Sequence, residues 1–328
     1  MRTVRIRSWG GPEVLRLEEH PPEEPGPAEV RLRVRAIGIN RTEVTLRSGR
    51  AATSPALPSK IGFEAVGEID ALGPEVSGFA IGERVAVIPA FPAAQYGLYG
   101  ELSLAPARSL VRIPEGVTDV DAASTWVAFG TAWAGLIDRG RLSAGQTVLV
   151  TAASSSVGLA ALQIAKSVGA RVIAATSSPS KAAALQAHGA DAVVVTSTHG
   201  LKAAVFKFTR DKGVDLVFDA IGGPLFAILS ELAAPQGTLV LYGALSQQVA
   251  LLSPLAVLSE ELTIRGLSLT KTTRDDTKLA ALKAFVDGGF ERGLFKTTLA
   301  KTFTLDDIVG AHRYMEAGEH VGKIVVTV

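Results

Sequence analysis

From Thr147 onward the chain alternates short β-type runs with helical periodicity, and this alternation restricts its fold more than any other feature. Thr147–Ala152 (TVLVTA) reads as a strand, and Ser156–Val168 repeats apolar residues at helical spacing. Arg171–Thr176 is a second strand. Pro179–His188 is a helix with proline in its first turn and Gly189 just past its end. A third strand (Asp191–Val195), a helix (His199–Asp211), a fourth strand (Asp215–Ala220), a helix (Pro224–Leu232) and a fifth strand (Gly237–Tyr242) follow. A short helix, Pro254–Glu260, and a sixth strand, Thr263–Leu269, close the series. Strand alternating with helix means βαβ units on a parallel sheet. Two halves of three strands predict a doubly wound α/β fold, whose ligand sits at the strand carboxyl ends.

Before residue 120 the texture differs. Glu29–Ile39 alternates apolar and polar residues, and Ala65–Leu72 and Arg84–Ile88 are short apolar runs. Pro21–Pro27, Gly49–Pro58 and Gly73–Gly82 separate them. Period-two alternation bounded by Gly and Pro predicts antiparallel strands in a barrel-like domain, with Pro21–Pro27 as a rigid turn. In the tail, helices are expected near Lys278–Asp287 and Leu305–Ala317, and a terminal strand at 323–328 is expected to return to the first domain. The expected division is 1–120 completed by 272–328, and 121–271.

Composition narrows the function. At roughly 150 residues per domain, 328 residues suit two domains. A net charge of +1, from 33 Lys+Arg and 32 Asp+Glu, argues against a nucleic-acid binder held by phosphate contacts. With no cysteine, disulfides, iron–sulfur clusters, thiolate catalysis and Cys-based zinc sites are excluded. The uncharged stretches Ala122–Ile137, Leu142–Ala165 and Leu232–Ser259 are interrupted by Thr131, by the small hydroxyl run at Thr151–Ser156 and by Pro235, Gln236 and Pro254. They read as elements buried on both faces rather than membrane spans. The N-terminus has Arg at 2, 5, 7 and 16 with no apolar run behind it, so a cytoplasmic protein is expected.

Val148–Gly158 (VLVTAASSSVG), running from a strand into a helix, carries the first chemical signal. A phosphate needs close backbone approach and a helix N-terminus. Ser154, Ser155 and Ser156 stand where a dinucleotide fingerprint usually has glycines, then Val157, and Gly158 keeps the last one. A serine-rich turn that only caps the helix is the alternative; the position after the first strand of the series favours phosphate. After the second strand, no acidic residue occurs between Arg171 and Lys181 to take ribose hydroxyls. Ser177, Ser178 and Lys181 instead suit a 2′-phosphate, so NADPH is expected over NADH. The alternative is Ser180 as a helix cap and Lys181 as an exposed lysine.

The whole chain resembles the medium-chain dehydrogenase/reductase superfamily, in its zinc-independent, quinone oxidoreductase-like (zeta-crystallin-like) branch. Gly11–Leu15, Val34–Glu43 (VRAIGINRTE), Gly62–Val85, Tyr99-Gly100-Glu101 and Ile113-Pro114 carry the likeness, together with the fingerprint, Asp219–Gly223, Gly243 and Gly322–Val325. The resemblance implies a GroES-like β-barrel-type catalytic domain and a Rossmann NADP-binding domain with a six-stranded parallel sheet. Zinc alcohol dehydrogenases place Cys where this chain has Asn40 and His where it has Phe63, and Ile88–Leu98 contains no four-Cys lobe. The five histidines (20, 188, 199, 312 and 320) form no His-x-x-x-His pair, so no metal is expected.

Without a Lewis acid, hydride transfer is expected to an acceptor that needs less help: a quinone or an α,β-unsaturated carbonyl. By the resemblance, Asn40 lies beside the nicotinamide ribose and active-site water, as a catalytic and a cofactor-binding candidate, and Thr131 contacts the cofactor. Gly243 and Ala244 approach the nicotinamide, and Leu267, Ser268 and Leu269 of the sixth strand lie by its carboxamide. Asn40 read alone is a turn residue, and Thr131 a helix hydroxyl bonded to its own backbone. Lys323 reaches cofactor or substrate, or is a surface lysine. Many relatives carry a Tyr where this chain has Ala51, so Tyr99 is the catalytic candidate for proton donor, against a packed aromatic, Tyr96 or solvent. Glu64 and Asp219 are read as structural carboxylates. Relatives pair through the sheet edge, so a homodimer through strand 263–269 is expected. Two further readings remain: an enoyl-thioester reductase, and a non-catalytic NADPH-binding sensor or crystallin-like protein.

Overall fold

In the computed structural model, which describes residues 1–51, 54–92, 95–196 and 200–328, the alternating segment near residue 30 becomes the central strand of the first of two units. That unit comprises residues 1–127, 273–283 and 297–328; the second comprises 128–272 and 284–296. In the first unit β1 (Arg2–Ile6) pairs antiparallel with β2 (Leu15–Glu19). β3 (Glu29–Gly38) buries Val30, Leu32 and Val34 on one face and turns Arg33 and Arg35 to solvent, as period two requires. β4 (Ser59–Lys60) adds to β1, and β5 (Ala65–Leu72), β6 (Arg84–Val87), β7 (Leu102–Pro106) and β8 (Leu110–Arg112) build a larger, largely antiparallel sheet around β3. Its core joins Val30, Leu32 and Val34 to Ile69, Val85, Leu98 and Ile324. Each such side chain contributes about 1.5–3 kcal/mol by leaving water.

The second unit holds the strand–helix series. β9 (Thr147–Val150), β10 (Arg171–Thr176), β11 (Ala192–Val195), β12 (Val214–Asp219), β13 (Ala233–Leu241) and β14 (Thr263–Gly266) pair in parallel in the order β11-β10-β9-β12-β13-β14. This is the doubly wound order, with β9 at the reversal point. All four residues of β9 are buried, so this strand reads as an unbroken apolar run.

Several expectations need correction. The sixth strand ends at Gly266, not Leu269. Leu267 N–H still reaches Leu241 O at 2.9 Å, but the helix Leu269–Thr272 then begins, with Thr272 N–H on Ser268 O at 3.1 Å. Leu267 and Leu269 therefore straddle a strand–helix junction, which a two-residue alternation does not reveal. The helix expected from His199 runs over Leu201–Thr209; His199 itself lies outside the described residues. Residues 284–296, expected with the first domain, belong to the second unit, where Phe295 lies 5.1 Å from Phe129 between ring centres. The first unit also extends to Val127 rather than stopping at 120.

In the tail, β15 (Leu299–Thr304) is a strand that no alternation announced. It pairs with β16 (Lys323–Thr327), which returns to β3 with Val326 opposite Ile37. Among the described residues no helix is long and apolar enough to cross a membrane.

Candidate active and cofactor site

In the second unit, β9 ends at Val150 and the chain turns into the helix Ser156–Ser167. Ser155 is its N-cap: Oγ accepts Gly158 N–H at 3.0 Å. Ser156 and Val157 occupy the first two helical positions, whose N–H groups have no intrahelical acceptor. Gly158 brings the helix onto the turn, since a Cβ there would stand 2.4 Å from Ala153 O. The capping and phosphate readings are thus compatible. Ser155 Oγ accepts as a cap and keeps its O–H to donate. Ser154 is buried, and Ser155 and Ser156 are half-buried.

Neighbouring strand ends are tied to this turn by Asp219, which is fully buried. Its Oδ1 accepts Thr151 Oγ1 at 2.5 Å and Ile221 N–H at 3.0 Å, and its Oδ2 accepts Gly222 N–H at 2.8 Å. Thr151 Oγ1 in turn accepts Ala220 N–H at 3.0 Å. The carboxylate therefore fastens the carboxyl ends of β9 and β12. Gly243 and Ala244 follow β13 at the same edge of the sheet, where Tyr242 N–H meets Asp219 O at 2.9 Å. Thr131 is buried in the helix Trp126–Trp133.

After β10, Ser177 is exposed and Ser178 precedes the short helical turn Pro179–Lys181. Ser178 Oγ and Ser180 Oγ lie 2.8 Å apart. Lys181 is buried, 8% exposed, and so is not the surface lysine of the alternative reading.

In the first unit, Asn40 leaves β3 and caps the helix Arg41–Arg47. It is 8% exposed. Its side-chain Nδ2 donates to Gly38 O at 2.8 Å, and its Oδ1 accepts Lys323 Nζ at 2.7 Å. Lys323 Nζ also donates to Glu64 Oε2 at 2.6 Å, and Glu64 Oε1 accepts Val127 N–H at 2.9 Å. Lys323 and Glu64 are both buried, so Lys323 is no surface residue and Glu64 is paired where it sits.

Beneath Asn40 lies a second polar cluster. Glu43, wholly buried, accepts Asn40 N–H at 2.5 Å and the Tyr99 hydroxyl at 2.6 Å on Oε2, and Phe63 N–H at 3.2 Å on Oε1. The Tyr99 hydroxyl also touches His312 Nε2 at 3.2 Å. Burial pushes the Glu43 carboxyl up to about 7, against the pull of the Tyr99, Asn40 and Phe63 donors and the Lys323 charge. Burial and the Glu43 charge raise Tyr99 well above the ordinary phenol range. Burial, with Arg47 nearby, lowers His312 to about 3, so it is neutral at pH 7.

Tyr99 is thus enclosed, and it meets Asn40 only through Glu43. Tyr96, also buried, donates to Glu29 at 2.5 Å.

Sequence reasoning missed Glu43, although Asn40-x-x-Glu43 has the spacing of a helix capping box. It missed His312 as well, and no local pattern marks that residue. Among the described residues no group of three or more His, Asp or Glu is placed to hold a metal ion.

Residues 26–115 match the family model described as alcohol dehydrogenase GroES-like domain, and residues 156–286 match that described as zinc-binding dehydrogenase. A quinone oxidoreductase of Pseudomonas aeruginosa is 34% identical, over 99% of each chain. A 2-haloacrylate reductase of a Burkholderia species is 31% identical, over 98% of this chain and 97% of the relative. A mycobacterial protein solved in complex with NADPH superposes with a TM-score of 0.92 at 30% identity, covering 100% of both chains.

Proposed function

The chain belongs to the medium-chain dehydrogenase/reductase superfamily, in its quinone oxidoreductase-like branch, and on that premise we propose an NADPH-dependent reductase of quinones or α,β-unsaturated carbonyls that works without metal. One observation carries the reading. At the position where zinc-dependent relatives have a thiolate, this chain has the Asn40 amide, with its oxygen on a lysine ammonium 2.7 Å away. A carboxamide engaged by a cation, beside Phe63 in place of a histidine, is a poor donor set for zinc.

The second unit fits the cofactor. Close approach at Gly158, the first N–H groups of the helix Ser156–Ser167 and the hydroxyls of Ser154, Ser155 and Ser156 suit a pyrophosphate. Ser177, Ser178 and Lys181 suit the 2′-phosphate. By resemblance, Thr131, Gly243, Ala244, Leu267, Ser268, Leu269, Asn40 and Lys323 serve the nicotinamide end. When bound, NADPH supplies the hydride. The protein's part is to orient the acceptor, exclude water and offer a hydrogen bond where negative charge gathers on oxygen. Asn40 Nδ2 is the proposed donor. Solvent is the proposed proton source, because Ala51 stands where many relatives have Tyr and the Tyr99 hydroxyl is directed at Glu43 and His312. The mycobacterial neighbour's NADPH and the Burkholderia relative's conjugated substrate both support the reading.

We also propose a homodimer through β14. Val249, Leu255, Leu258 and Ile264 are 81%, 79%, 77% and 41% exposed on the loop, helix and strand that follow β13 in the chain, and β14 is the edge strand of its sheet. Such an edge invites pairing, and the exposed apolar side chains in the same stretch of chain support an interface. A cytoplasmic setting belongs to the same proposal.

The test is NADPH consumption with a panel of quinones, enones and enoyl thioesters. Turnover of quinones or enones is expected. Tight NADPH binding with no turnover on any of them overturns the enzyme reading in favour of a binding protein, and turnover of thioesters alone favours the enoyl-thioester reductase.

A further inference from the structure

We propose that Lys323 is a positioning residue. It locks the Asn40 side chain with the amide oxygen turned inward, so that the substrate oxygen always meets an N–H. The proposal rests on the reductase reading for the identity of the acceptor, but the lock itself follows from the first unit alone.

The two ends of an asparagine amide have nearly the same shape, so geometry alone seldom says which is oxygen. Here chemistry decides. An ammonium has only donors, so the Asn40 atom 2.7 Å from Lys323 Nζ must be the oxygen. The nitrogen then carries two hydrogens. One goes to Gly38 O at 2.8 Å. The second is left to an incoming acceptor.

Lys323 is itself aimed. Glu64 holds Nζ at 2.6 Å, and Val127 N–H holds the other carboxylate oxygen at 2.9 Å. Gly38 makes room for the arrangement: a Cβ there would stand 2.1 Å from Ala123 O, 2.7 Å from Glu64 Oε2 and 2.9 Å from Lys323 Cε. The backbone of Asn40 is fixed separately, by Glu43 on its N–H. With main chain and amide both held, the donor is in place before the acceptor arrives. A preorganised donor lowers a barrier without reorganising during the reaction.

The sequence provides a direct probe, because Asn40 is the only asparagine among the 328 residues. Protein made with 15N-labelled asparagine therefore shows a single side-chain amide. Lys323→Met keeps the length of the side chain and removes the donor, but it leaves Glu64 buried and unpaired. The double variant K323M/E64Q removes both charges, so no uncompensated charge is left in the interior to oppose folding.

In the wild type, two distinct amide protons with slow exchange are expected. In K323M/E64Q they are expected to shift and exchange faster. An unchanged amide spectrum overturns the lock, whether or not the protein turns over any substrate. In kinetics, K323M/E64Q is expected to lower kcat about tenfold, with KM for the acceptor within about twofold. The same pair of substitutions in an Asn40→Ala background is expected to cost no further kcat. Losses that multiply instead would assign Lys323 a role independent of Asn40 and overturn the proposal. A wild type silent on every acceptor refutes the reductase reading and leaves the amide result to decide the lock.

Discussion

Glu43 accepts the backbone N–H of Asn40 at 2.5 Å while wholly buried, so the turn that presents the proposed donor is anchored on a carboxyl group pushed up to about 7. A carboxyl raised in the fold binds its proton more tightly there than in the unfolded chain. Its contribution to stability is therefore fully present below its ordinary value of 4.5 and is lost as pH rises through about 7. Glu43→Gln cannot titrate. The stability of the wild type minus that of E43Q, from urea unfolding, is expected to fall by up to about 3 kcal/mol between pH 4 and pH 8. A difference that grows with pH refutes this.

Tyr99→Phe removes one donor from Glu43. Burial then acts on the carboxyl with less opposition, so its titration should move further upward. A loss of about 1–3 kcal/mol in stability is expected from the broken buried hydrogen bond. With solvent as the proton source, kcat for quinone reduction should fall less than tenfold. A loss of a hundredfold or more would make Tyr99 the acid.

Ser177→Asp combined with Lys181→Ala places a carboxylate where the 2′-phosphate is proposed to sit and removes a cation. NADPH Kd, by fluorescence titration, is expected to rise at least about tenfold, with NADH affected far less. An unchanged NADPH affinity sinks the assignment of these residues.

Gly158→Ala puts a methyl group 2.4 Å from Ala153 O, where nothing but backbone can yield. The helix must lift from the turn. A destabilisation of about 1–3 kcal/mol in thermal or urea unfolding, with weaker NADPH binding, is expected. An alanine tolerated on both counts would mean the turn is not held as tightly as the cofactor site requires.

Leu255→Asp with Leu258→Asp charges the exposed apolar helix Pro254–Ser259 that precedes β14 in the chain. Light scattering is expected to show a dimer for the wild type and a monomer for the variant. A wild-type monomer refutes the interface outright.

Local signals made much of the second unit readable. The order of β9 to β13 follows from βαβ alternation and from uninterrupted apolar runs, each contained within a few residues. The junction at Gly266–Leu269 was not readable, because two leucines two residues apart fit a strand's end as well as a helix's beginning. β15 escaped because no residue in it is fully buried, which leaves no alternation to detect. In the first unit, Asn40 and Glu43 sit within one helical turn and carry a recognisable spacing. The pairing of Lys323 with Glu64 spans 259 residues and has no local trace. Contacts of that range are created by the fold rather than by neighbouring residues.

β16 also governs the order in which the protein can assemble. The strands from β9 to β14 are complete once Gly266 has left the ribosome. The edge of β3, by contrast, waits for β16, which comes much later in the chain than β14, since Ile37 pairs with Val326 and Asn40 meets Lys323. Until β16 is made, β3 carries an open strand edge at Ala36–Gly38 that can capture other chains. Newly made molecules are therefore most vulnerable to aggregation in the interval before β16 emerges. A deletion of β16 alone would extend that interval indefinitely.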